Sequence, residues 1–180
     1  YRHFTHVMRF SQRRCPHGPI RSIFMRRVLF DSNAIDPIAD TAGAFEALKA
    51  ATEAGLLDIL YTHVTIDELA AISDLDRRQR LTLFMVDLGR IVPTGAMVLG
   101  VSRLNFCRLG ADGGEGMLEA LRSQNIRHSP DAVIGITAHV EGCALVTNDE
   151  RLAKRAAGVE IETLTTQALL DEVAGLPASQ

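Results

Sequence analysis

The chain predicts an α/β fold, a three-layer α/β/α sandwich around a mostly parallel central sheet. Three observations carry this. Short apolar runs alternate with stretches of helical spacing from Arg27 onward, the signature of strands covered by helices on both faces. There are no internal repeats. The length of 180 residues and a 47% hydrophobic content are enough for one domain with a real core.

Each element has its own warrant. Val28–Phe30 reads as a buried strand ending at Asp31. Residues 41–54 have helical spacing through Ala44, Phe45, Leu48 and Ala51, and Gly55 is placed to stop that helix at C′. Ile59–Val64, β-branched and partly aromatic, reads as a second strand. Thr65 then opens a helix carrying Leu69, Ala70 and Ile72, and a further helix runs over 77–88. Met97–Val101 is a third apolar run, whereas 102–116, with four glycines, has no clear period. Residues 116–122 form a short helix. The next starts with Ser129 as N-cap and Pro130 at N1. A strand over 144–147, a helix over 150–157 and a last strand over 159–164 complete the pattern.

Charge divides the chain. Seven of its 19 arginines and lysines fall within residues 1–27, which contain no acid. The remainder holds 12 basic and all 22 acidic groups, a net of −10. Residues 1–26 are therefore set apart as a basic arm, and 27–180 as the folded domain. A basic arm on an acidic body is a nucleic-acid contact, a targeting-like or non-native leader, or a stretch ahead of a true start at Met25. No window reaches 18 consecutive apolar residues, so no membrane span is predicted. Cys15, Cys107 and Cys143 are odd in number and widely spaced, which is no disulfide framework and fits a reducing cytoplasm. Cys15 with His3, His6 and His17 lacks the paired spacing of a zinc site. No P-loop is present.

Four acids stand at strand ends or in the helix starts that follow them: Asp31, Glu68, Asp131 and Asp149. In an open parallel sheet these positions share one rim, where ligands bind at the point of reversed strand order. Clustered carboxylates raise one another's pKa and favour a bound cation. Their hard oxygens select Mg²⁺ or Mn²⁺, which can activate water for displacement at phosphorus. Each acid also has a purely structural use. Thr65 and Glu68 have the spacing of a capping box, and Asp131 and Asp149 sit where a helix dipole favours acids. Asp31, ending an apolar strand, has no such alternative.

The segment Val28-Leu29-Phe30-Asp31-Ser32-Asn33 resembles the opening motif of PIN domains. Thr65-Ile66-Asp67-Glu68-Leu69 is similar to the family's second motif, Ser129 to Ile134 to its third, and Leu145-Val146-Thr147-Asn148-Asp149 to its fourth. The order matches, over roughly 27–164. The resemblance implies a metal-dependent ribonuclease, most often the VapC-like toxin of a toxin–antitoxin pair. It implies Asp31, Glu68, Asp131 and Asp149 as the catalytic acids, with Asp31, Asp131 and Asp149 on Mg²⁺ or Mn²⁺. Ser32, Thr147 and Asn148 would orient them, RNA would be the substrate, and a homodimer with a small antitoxin the assembly. The basic cluster Arg77, Arg78 and Arg80 is a candidate RNA contact, or a solvated helix face. The basic arm and the long 98–116 stretch have no counterpart in the compact family form.

Three other functions compete. A haloacid-dehalogenase-like phosphatase needs a second Asp where Asn33 stands. A receiver domain wants a late strand-end lysine, and the lysines are Lys49 and Lys154 alone. A catalytically silent PIN-like binding module would not need all four acids.

Overall fold

The structure, a computed structural model, describes residues 25–108 and 114–176. The expected basic arm before Met25 lies outside these residues, as do Cys15 and two glycines of the 102–116 stretch, Gly110 and Gly113. Strand β1 (Arg26–Phe30) is followed by the short helix α1 (Asp36–Asp40) and by α2 (Ala44–Glu53). Next come β2 (Leu57–Tyr61), α3 (His63–Ala70), α4 (Leu75–Leu88) and β3 (Gly89–Ile91). The second half contains α5 (Gly114–Arg122), α6 (Ser129–Glu141), β4 (Ala144–Val146), α7 (Glu150–Ala157), β5 (Thr163–Leu164) and α8 (Thr166–Ala174).

The five strands form one sheet in the order β3-β2-β1-β4-β5, with every pairing parallel. Because successive side chains of a strand face opposite ways, β1 feeds both cores. Val28 and Phe30 join Leu48, Leu81, Met85 and Leu169 on one face. Leu29 joins Val133, Ile136, Leu145 and Leu152 on the other. The expected three-layer α/β/α sandwich is therefore the observed architecture, with α2, α4 and α8 covering one face and α5, α6 and α7 the other.

Several boundaries differ from those expected, each for a local reason. The second strand was expected over 59–64 but ends at Tyr61. Thr62 leaves the sheet in extended backbone and accepts the Thr65 N–H on its hydroxyl, so Thr62, not Thr65, caps α3. Thr65 is buried and donates its own hydroxyl to the Phe30 carbonyl. The Thr65–Glu68 capping box is therefore not formed, and Glu68 lies in the second turn of α3. Ser129 is not an N-cap either; its hydroxyl donates to Ile126 O at 2.6 Å, and a 3-10 turn over Ile126–His128 leads into α6. The helix expected from Arg77 starts at Leu75, where Asp74 accepts the Arg77 N–H.

The third strand is Gly89–Ile91, straight out of α4, and the apolar run 97–101 takes no part in the sheet. Leu99 is 89% exposed. Gly89 is needed there, since a Cβ would lie 2.6 Å from the Ile59 carbonyl oxygen across the strand pair. The strand expected over 159–164 shrinks to Thr163–Leu164, and α1 and α8 were not foreseen. Arg26, assigned by sequence to the arm, begins β1 and pairs with Glu162 and Glu172. Arg27 pairs with Asp58 and Glu141. Both are thus tied to the acidic body.

Candidate active site

Strand order reverses between β1 and β4, and the crevice beyond their carboxyl ends is where an open α/β sheet places its ligands. Phe30 is in register with Val146, and the Asp31 N–H donates to Val146 O at 3.0 Å. The two strand ends thus deliver Asp31 and the segment 147–149 to the same point.

Asp31 is only 4% exposed and its carboxylate is held by three donors. Oδ1 accepts the Ser32 N–H, and Oδ2 accepts the Asn33 side-chain amide and the Thr147 hydroxyl, each at 2.8 Å. Asn33 ties the two loops together, since its Oδ1 accepts the Asn148 N–H at 2.8 Å. The Asn148 side chain continues the network by donating to the Asn33 carbonyl and to the Thr166 hydroxyl. Thr166 in turn donates to Ala34 O at 2.8 Å. Such a closed network fixes a buried carboxylate in one orientation.

The four expected acids sense one another. Burial raises the Asp31 pKa first, the Thr147 and Ser32 bonds oppose it, and the charges of Asp131 and Asp149 add to the rise. Glu68 is pushed up to about 7, chiefly by desolvation, with Asp31, Asp131 and Asp67 contributing and a hydrogen bond from Ser32 opposing. Asp131 is also raised by burial; Arg155 lowers it and Asp149 raises it. The structure therefore brings Asp31, Glu68, Asp131 and Asp149 into one electrostatic cluster, with Ser32, Thr147 and Asn148 around it.

The cluster is not arranged as a ready metal cage. Among the described residues, no three His, Cys, Asp or Glu side chains are grouped closely enough to hold a metal ion. Two of the acids are already engaged. Asp131 Oδ2 accepts from the Arg155 guanidinium at 2.8 Å, and Asp149 Oδ1 caps α7 by accepting the Arg151 and Leu152 N–H groups. The donor chemistry nevertheless suits a hard divalent cation. There are four carboxylates, three of them with raised pKa values, in a place that concentrates negative charge.

Sequence reasoning quoted Asn33 within the opening motif without giving it a role, and did not single out Thr166 or Arg155. Those two carried no signal, because only the fold carries α7 and α8 to this rim. Arg77 and Arg80, candidate RNA contacts, pair with Asp36 and Asp40, and Arg78 donates to the carbonyls of Ala70 and Ile72. His128 is held between the Arg122 carbonyl and the Asn125 amide.

No protein-family model matches the chain, and no curated protein does. Solved structures share its fold. PAE2754 from Pyrobaculum aerophilum superposes with a TM-score of 0.52 at 19% identity, covering 84% of this chain and 98% of that one. VapBC2 from Rickettsia felis, solved bound to a DNA fragment from their promoter, superposes with a TM-score of 0.51 at 13% identity. That match covers 77% of this chain and 98% of the other. At such identities the likeness is one of fold. Among the described residues, no helix is long and apolar enough to cross a membrane.

Proposed function

We propose that the chain is a metal-dependent endoribonuclease of the PIN type, the toxin of a toxin–antitoxin pair. The observation that carries this reading is the convergence of four carboxylates from β1, α3, α6 and the β4–α7 junction on the sheet's switch point, with Glu68 raised to about 7. The shared fold with VapBC2 supports the toxin–antitoxin part, and a cognate antitoxin and a homodimeric assembly belong to the same proposal.

Asp31, Asp131 and Asp149 are the residues that would hold Mg²⁺ or Mn²⁺. When bound, such an ion supplies Lewis-acid charge at the phosphorus centre and makes water more acidic. The chain's own residues do the rest. Asp31 is oriented by Ser32, Asn33 and Thr147, so its ligand oxygens are set before any ion arrives. Glu68, its pKa pushed up to about 7 chiefly by burial, is suited to accept the proton of the attacking water on a carboxylate oxygen. Asp131 would hold the ion in place of its present bond to Arg155, and Asp149 would do so while its Oδ1 still accepts the N–H groups at the start of α7.

A second reading, a catalytically silent PIN-like binding module, is favoured by one observation: the Arg155–Asp131 pair already neutralises one of the acids. Incubating the purified protein with total cellular RNA and mapping the cut ends separates the two. Defined cuts in Mg²⁺ or Mn²⁺ that EDTA abolishes are expected, and identical RNA profiles in all three conditions would leave the binding module.

A further inference from the structure

An acidic rim repels the polyanion it is proposed to cut, so positive charge must lie beside it. Most cations of the folded body are already neutralised. Among the described residues, Arg78, Arg127, Arg151 and Lys154 alone among the arginines and lysines take no part in an ion pair. Arg78 is bonded to backbone carbonyls. Arg127, in the 3-10 turn before α6, and Arg151 and Lys154, on α7, belong to the same layer of the sandwich as Asp131.

Between α5 and α7 lies a cavity of about 500 Å³. Its cationic wall is Arg151, Lys154 and Arg155, and its apolar lining includes Ala120, Gly158 and Val159. No acid lines it. Residues 151, 154 and 155 recur at helical spacing, so one face of α7 makes this wall. The volume falls in the range of roughly 300–1,000 Å³ typical of sites for small organic groups. Arg155 joins the cavity to the acid cluster. It lines the cavity while donating to Asp131 Oδ2 at 2.8 Å, and its buried Nε–H has no acceptor among the described residues. A cationic wall suits a nucleic-acid phosphate, and the apolar lining beside it offers van der Waals contact to the face of a base.

We propose that this cavity is a subsite for single-stranded RNA, holding a nucleotide that flanks the cut phosphodiester, with Arg151 and Lys154 as its phosphate contacts. The proposal rests on the nuclease reading for the strand's identity, but binding can be read without cutting. The experiment is fluorescence anisotropy of a fluorescein-labelled single-stranded RNA 12-mer with the full chain, in EDTA, over a series of salt concentrations. The R151Q/K154Q variant is expected to bind about 10-fold more weakly at low salt. Its log K against log salt plot should be shallower by about 1.4, or 0.7 for each lost phosphate contact. Circular dichroism checks that it is folded. R77Q/R80Q, from the competing arginine cluster, should bind like the wild type.

Three results would overturn the subsite: no wild-type binding at tens of micromolar, unaltered binding by R151Q/K154Q, or an equal loss in R77Q/R80Q. Displacement of the RNA by a poly-glutamate 12-mer of equal charge would assign the cavity to an acidic protein segment and also overturn it. Cut-end mapping in Mg²⁺ tests the nuclease reading separately. A protein that binds as expected yet cuts nothing keeps the subsite and loses the activity.

Discussion

At the scale of single residues, Asp31 and Glu68 lead to different experiments. Asp31→Asn keeps the side-chain shape but removes a ligand charge, and it turns an amide toward the Asn33 or Thr147 donors. Cutting in Mg²⁺ should fall by several orders of magnitude. Stability should move by no more than about 2 kcal/mol, because relief of a desolvated charge offsets the lost hydrogen bond. Cut-rate measurements beside thermal melts check both. Glu68 sets a pH dependence. Its folded pKa of about 7 exceeds its ordinary 4.5, so between those values the unfolded chain has released a proton that the folded chain still holds. Stability should therefore fall as pH rises from about 4.5 to 7, by roughly 3 kcal/mol at 1.36 kcal/mol per unit. Melts of the metal-free protein in EDTA should show this fall, and Glu68→Gln should flatten it. A slope that persists undiminished in the Gln variant would mean that other carboxyls cause it; Asp31 and Asp131 shift in the same direction.

Elements show where the sequence was legible and where it was not. Val28–Phe30 and 144–146 were readable as strands because they are wholly apolar and buried on both sides, and Asp31 stood out as the acid that ends one of them. The β2–α3 junction misled by two or three residues because Thr62 and Val64 are β-branched and resemble a strand. Only tertiary bonding, Thr65 to the Phe30 carbonyl, turns that run into a helix start. The same error made Glu68 look like a capping residue. Removing the true cap by Thr62→Ala should cost about 1 kcal/mol in a denaturant titration. β3 was illegible for a different reason: three residues following a helix carry no periodicity, and a glycine stood first. That glycine has a contact to explain it. Gly89→Ala would press a methyl against the Ile59 carbonyl and should destabilise the β2–β3 edge by about 1–3 kcal/mol, read as a lower melting temperature.

For the whole molecule, the five-strand order places the acids on one rim and the unpaired cations of α7 on its flank. The sequence grouped the acids because four motifs occur in order. Their cationic neighbours were not legible, since Arg155 reaches Asp131 only through the packing of α7. The proposed homodimer rests on the family that the sequence motifs resemble and on a body whose charge must be balanced to hold RNA. Light scattering at micromolar concentration should report twice the 19.6 kDa chain mass, and a strict monomer would remove the dimer from the proposal.

The neighbouring positions of β1 and β4 bear on how the protein comes into being. Asp31 and Val146 are adjacent in space, yet most of the chain runs between them. Such a pairing is a long-range contact, slow to close and absent from any shorter nascent chain. A growing polypeptide that has not yet reached Asp149 lacks the β4 half of the rim, so the acid cluster cannot assemble before that residue has been made. In refolding followed by pulsed hydrogen exchange, the Asp31 and Asn148 amides should gain protection in one late phase, after the amides internal to α2.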